Sequence, residues 1–343
     1  MAKPDLPEVD AARQRSLDFL LAMCRPDGLW YDFYTLAGLS NDWVSGVVLN
    51  ALAQAGSHAV DGVDRSIAAL LRRQRRNGGW SYNERVPTDC DSTAWVTLAL
   101  LTRTRWRPSA LVRAARYVLL HQDTATGAFA TYAPYDRIHR YIHATPEQTA
   151  GWQLPHLGVS CLAVQALLGL GVAPDVPRMA LALRYITEAR ATQGLWSCYW
   201  WRGHGYATYH ALRSLVLGQA LPGDAPGEVA AAIIDRQGTD GAWHLDDGAP
   251  CAFETAHMLR ALALIESDVA GLASPMDRGS RALLELQKRD GSFEPMPILR
   301  IPPPMAERVD DSSRWRIDEQ GTGVVVSDCE RVFTTACALM AWR

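Results

Sequence analysis

The residues best suited to chemistry are Asp89 and Asp91, which flank Cys90 at the head of the apolar run Ser92-Thr93-Ala94-Trp95-Val96-Thr97-Leu98-Ala99-Leu100. Burial disfavours the charged form of a carboxyl, and a second carboxylate nearby disfavours it further. An acid held protonated in this way near neutral pH is suited to general acid catalysis. Aspartate also favours helix starts, where its oxygens bond free backbone N–H groups and its charge suits the helix dipole. Capping is the expected role for Asp89. For Asp91 both readings stand, cap or proton donor.

What could position such an acid is a set of internal repeats. Gln74-Arg-Arg-Asn-Gly78-Gly-Trp80 shares its spacing with Gln237-Gly-Thr-Asp-Gly241-Ala-Trp243 and with Gln287-Lys-Arg-Asp-Gly291-Ser-Phe293. Shorter copies, lacking the glutamine in register, are Gly28-Leu-Trp30, Gly127-Ala-Phe129 and Gly194-Leu-Trp196. Most glycine intervals are about 50 residues, the period of a repeat architecture. An amphipathic helix precedes each turn: in the second copy Ile67, Leu70, Leu71 and Gln74 share one face. A second helix follows, with a hydroxyl at Ser45, Thr93, Ser160, Thr208, Thr255 and Thr335 and small or apolar residues four, six and seven positions on, Thr97 in the second copy being the polar exception. With so little polar face these second helices are expected on the inside, their hydroxyls bonding back to the preceding turn. Six outer–inner pairs predict an all-α fold, a closed (α/α)6 toroid forming a single domain over residues 1–343.

The repeat register places Asp91 in a layer. Two residues before each hydroxyl stand Trp43, Asp91, Gly158, Tyr206, Phe253 and Phe333. An acid among rings, near one mouth of the barrel, has the parts that cation chemistry needs, since aromatic faces stabilise cations by roughly 0.5–2 kcal/mol each. His156 and His204 align with Asp89, and either could orient the proton of Asp91. The turn tryptophans are assigned to packing, whereas Trp200 and Trp201 break the pattern and are candidates for the mouth. Two long loops, 130–155 and 294–327, join outer to inner helices and so fall on the Asp91 face. Loops of this length are expected to act as lids. Their arginines, Arg137, Arg140, Arg300, Arg308, Arg314 and Arg316, are candidates for holding an anionic group.

The rest of the composition narrows the class. A net charge of −3 gives no basic excess for nucleic acid, and no apolar run is long enough to span a bilayer. Association with a membrane surface stays open. Seven scattered cysteines and a polar, acidic beginning point to a reducing, cytoplasmic setting.

The repeats resemble those of squalene–hopene and oxidosqualene cyclases and of protein prenyltransferase β subunits, over almost the whole chain. Thr88-Asp89-Cys90-Asp91-Ser92-Thr93-Ala94 is similar to the D-x-D-D-T-A segment of class II terpene cyclases, with Ser92 in place of the last aspartate. Trp196 to Leu212 resembles a further turn of that family. The resemblance implies that Asp91 protonates an alkene or epoxide, without metal or cofactor, in an isomerase or lyase of terpenoid biosynthesis. It also implies a hydrophobic substrate, a prenyl diphosphate or a prenylated small molecule; the candidates to line it are the layer residues Trp43, Tyr206, Phe253 and Phe333 and the pattern-breaking Trp200 and Trp201. Those cyclases pair two toroids and bind substrate between them, whereas this chain offers one, so a homodimer or a partner subunit is left open. Two other readings remain. One is a non-catalytic toroid holding a hydrophobic ligand or a partner protein. The other is a zinc prenyltransferase-like subunit, for which the Asp, Cys and His ligand set is incomplete here.

Overall fold

In a computed structural model that describes residues 6–56, 61–103, 108–245, 248–309 and 314–342, the repeats form two concentric rings of helices. The chain runs from α1 (Leu6–Ala22) through the hairpin β1 (Asp32–Thr35) and β2 (Gly38–Ser40) into α2 (Asp42–Gln54) and α3 (Asp61–Arg73). The short pair β3 (Trp80–Ser81) and β4 (Thr88–Asp89) leads into α4 (Cys90–Leu101) and α5 (Pro108–Leu120). The first long loop carries α6 (Ile138–Tyr141) and α7 (Ala150–Gln153). Then follow α8 (Leu157–Gly169), α9 (Pro177–Glu188), α10 (Gly205–Leu217), α11 (Ala225–Asp235), α12 (Ala252–Ile265) and α13 (Ala273–Leu286). The second long loop holds β5 (Pro297–Ile301), β6 (Arg316–Ile317) and β7 (Val324–Ser327) before α14 (Val332–Leu339); its residues 310–313 lie outside the described residues.

The inner ring is α2, α4, α8, α10, α12 and α14. Each packs on the next, and α14 returns to α2, so the ring is closed. These helices are buried on nearly every side, as their apolar sequences require. In the outer ring α3 buries Ile67 and Leu70 and exposes its charged face.

The glutamine turns are what join the rings. Gln74 Nε2 donates to Gly78 O at 2.9 Å and across to Ala110 O of α5 at 2.9 Å. Gln237 and Gln287 make the same pair of bonds to the following outer helix, Gln287 reaching Ala12 O of α1 across the ring closure. Gln122 does so too, bonding Gly127 O and Arg178 O, although one extra residue before its glycine hides it from the repeat spacing. Gly78 needs its freedom: its φ is +96°, and a Cβ there would overlap the Arg113 backbone. Trp80 is fully buried with its indole N–H on Leu70 O at 2.7 Å, and truncating such a ring costs about 3–5 kcal/mol. The hydroxyls act structurally, as expected: Thr93 Oγ1 accepts from Trp80 N at 2.9 Å and donates to Asp89 O at 2.7 Å.

Closure has its own clasp. The start of α14 lacks a capping side chain of its own, and Asp32 of β1 supplies one, accepting from the N–H groups of Glu330, Val332 and Phe333.

Candidate active site

Two structures fix the beginning of α4. The Trp80–Asp89 pairing of β3 with β4 sets the backbone, and Cys90 N donates to Thr131 O of the first long loop at 2.9 Å. Asp89 is the helix cap. Its Oδ1 accepts from Ser92 N at 2.7 Å and its Oδ2 from Ser92 Oγ at 2.7 Å. Ser92, where the family motif has an acid, thus completes the cap. Asp91 sits in the first turn and caps nothing: among the described residues its carboxyl takes part in no hydrogen bond. It is half-buried, its exposed surface facing an internal cavity.

Both acids are pushed towards the protonated form. Burial raises Asp89 to about 7, with the Ser92 bonds pulling the other way. Burial raises Asp91 well above the carboxylate range, and the neighbouring charge of Asp89 raises it further. The bonding decides which acid keeps the proton. Both oxygens of Asp89 accept donors, which favours its ionised form; Asp91 has no such support and holds the proton.

The cavity opens to solvent at its mouth, and the empty space within and at that mouth is about 770 Å³. The β1–β2 hairpin forms one wall through Leu36 and Ala37. Trp43, Tyr82 and Val86 form a second, and Tyr132, Tyr141 and Trp152 of the first long loop a third. Trp200, Trp201, Leu299 and Ile301 complete it. A narrow crevice lies beside Asp91 on the Gly158 side, where the layer has no ring. The two long loops meet over this end. Trp152 Nε1 donates to Pro302 O at 3.1 Å and Trp152 N to Pro304 O at 3.3 Å. Trp200 and Arg202 pair with β5 through Arg300 N and Ile298 O.

Among the candidates named from sequence, Asp91, Asp89, Trp43, Trp200 and Trp201 face the cavity. Tyr206, Phe253 and Phe333 do not. They are fully buried beneath Trp201, whose indole stacks on all three at 4.7–5.3 Å and covers them. His204 also departs from expectation: its Nδ1 turns to Trp196 O at 3.1 Å, back into its own turn, while its backbone N–H donates to Glu254. His156 stacks on Tyr199 at 3.9 Å, makes no bond to Asp91, and is driven to about 3, hence neutral, by burial. Arg300 is buried on Cys198 O at 2.6 Å and Arg316 pairs with Glu319, so neither faces the cavity.

Sequence reasoning missed Tyr82, Tyr132, Tyr141 and Trp152 as cavity walls, since loop aromatics carry no periodic signal. It also missed the group that fastens the first long loop. His121 Nε2 lies 2.7 Å from Asp136 Oδ2, and Tyr117 OH donates to Asp136 Oδ1 at 2.9 Å. Among the described residues no three His, Cys, Asp or Glu side chains converge as a metal site, and no helix is long and apolar enough to cross a membrane.

The model of the squalene-hopene cyclase C-terminal domain family matches residues 1–133 and 81–296. Among curated proteins none matches the sequence. Among solved structures, a protein from Actinoplanes is 28% identical with a TM-score of 0.85, covering 98% of both chains. The type II terpene cyclase MstE from Scytonema is 24% identical with a TM-score of 0.85, again over 98% of both chains. A variant of MstE has been solved with geranylgeranyl dihydroxybenzoate, its substrate, at 24% identity and a TM-score of 0.85 over 98% of this chain and 97% of that one.

Proposed function

The chain belongs to the squalene-hopene cyclase C-terminal domain family, and from that premise we propose that it is a class II terpene cyclase-like enzyme that starts cyclisation by protonating an alkene of a prenylated small molecule. The observation that carries the reading is Asp91: an acid with no hydrogen-bond partner among the described residues, on the wall of an aromatic cavity under two loops. MstE, of the same fold and nearly the same length, acts on a prenylated dihydroxybenzoate, which supports that substrate class.

The Asp91 O–H bond breaks as the alkene π pair forms a new C–H bond, leaving a carboxylate and a tertiary cation. Each following alkene attacks that cation, forming a C–C bond and passing the charge along the chain. Loss of a proton gives an isomer of the substrate; capture of water gives its hydrate. Trp43, Trp200 and Trp201 stabilise the moving charge by their ring faces and exclude water. Asp89 acts on the donor: its charge keeps the Asp91 proton in place until the alkene is seated. His156 and His204, named from sequence as orienting groups, have no place in this step. The described parts of loops 130–155 and 294–327 meet over the cavity through Trp152 on Pro302 and Pro304, which supports a site roofed by this chain's own loops.

The test is incubation with benzoates and phenols bearing chains of two to four isoprene units, in D2O with a chelator present, followed by mass spectrometry. An isomer or hydrate carrying one carbon-bound deuterium is the expected product. Tight binding of every substrate without any such product would move the reading to a non-catalytic binder.

A further inference from the structure

Trp201 separates the cavity from the buried rings of the inner helices. Trp201 borders both the large cavity and the small space beside Asp91. Beneath it Tyr206, Phe253 and Phe333 are fully buried. Its indole lies 4.9 Å from Phe333 at 13°, 4.7 Å from Tyr206 at 28° and 5.3 Å from Phe253 at 26°. Trp43 touches it from α2 at 5.7 Å. Four of the six positions in the layer are thus rings gathered around Trp201, and the other two are Asp91 and Gly158. Backbone pairing holds the indole in place: Trp201 bridges Leu299, flanked by Arg300 N on Trp200 O at 2.8 Å and Arg202 N on Ile298 O at 3.0 Å. A side chain so stacked and so tethered does not swing aside at low cost.

We propose that Trp201 is the stop that sets substrate register: the end of the prenyl chain rests on its indole, so the terminal alkene, and no internal one, lies against Asp91. This rests on the reading of the site as a cyclase. The chain enters from the loop-covered mouth and can advance only until it meets the indole. Its last double bond then lies beside the acid that borders the same cavity. All alkenes along a prenyl chain are chemically alike, so reactivity does not choose among them; the depth of the indole does. Removing the indole would open the space between Trp43, Tyr206, Phe253 and Phe333. The chain would slide inward by an isoprene unit and present an internal alkene to Asp91.

The variants are Trp201→Ala and Trp201→Leu, the second keeping an apolar plug if the first fails to fold. Supplied with a benzoate carrying four isoprene units, wild type is expected to give one fully cyclised product. The variants should give products with at least one ring fewer and an untouched terminal alkene, read by mass spectrometry and NMR. Slower turnover to the wild-type product alone would overturn the proposal, since damage to folding lowers the rate without changing the ring count. A second measurement separates this from failure of the cyclase reading. The same benzoate with a diazirine at the chain end, photolysed in the bound state, should label the segment around Trp201 in wild type and Tyr206, Phe253 or Phe333 in Trp201→Leu. An unchanged labelling pattern would overturn the register role whether or not any cyclisation is seen.

Discussion

Replacing Asp91 by asparagine separates the acid from the helix end. The side chain takes part in no hydrogen bond among the described residues, and the cap is supplied by Asp89. Burial and the Asp89 charge already hold the Asp91 carboxyl in its neutral form, so a neutral amide of the same shape perturbs folding little. The expected change in stability is no more than about 1 kcal/mol, the centre of the distribution for point substitutions. Catalysis should respond differently. The amide has no acidic proton, and general acids contribute typically 10²–10⁴-fold, or about 2.7–5.5 kcal/mol of barrier. The assay is the rate of deuterium-labelled product formation in D2O, with thermal unfolding of the same preparation as control. A loss of at least about a hundredfold at unchanged melting temperature is expected. Wild-type turnover in Asp91→Asn would refute the reasoning and return Asp91 to an ordinary first-turn aspartate.

Other outcomes follow from the same geometry. Asp89→Ala removes both bonds to Ser92 and should cost about 1 kcal/mol of stability, read by denaturant unfolding, whereas Asp89→Asn should cost far less because asparagine caps as well. Because the Asp89 charge raises Asp91, Asp89→Asn should also move the high-pH fall of kcat/KM to lower pH; an unmoved limb would mean the two acids do not interact. Asp32 and Asp328 are fully buried with both carboxyls raised, Asp328 further by Asp32. The folded state then binds more protons than the unfolded chain above about pH 4, so stability should fall as pH rises from there through neutrality. Asp328→Asn should flatten that fall, as followed by melting temperature against pH. Trp152→Ala breaks the bond to Pro302 and opens the roof; KM should rise at least about tenfold, the effect of losing roughly 1.5 kcal/mol of apolar burial, with a smaller change in kcat.

The sequence by itself determined the helices, their pairing and the ring. Periodicity is local, and a repeat buries its apolar face only against its neighbours, so six like copies imply closure. Among the turns it missed the glutamine of the third copy, where one added residue put Gln122 out of step while its bonds stayed the same. The position of Asp91 at the layer was legible for the same reason, because it lies on a regular helix in a common register. What the layer surrounds was not legible. Register says that Tyr206, Phe253 and Phe333 point inward, yet only packing decides that Trp201, from a turn with no periodic signal, lies over them and ends the cavity. His204 and His156 have the right register and the wrong partners, a turn carbonyl for one and a tyrosine ring for the other, because a side chain's direction depends on its rotamer and neighbours. The roof, with Trp152 on Pro302, joins residues 150 positions apart in irregular loops, and such a contact exists only once the barrel has brought both loops to one mouth.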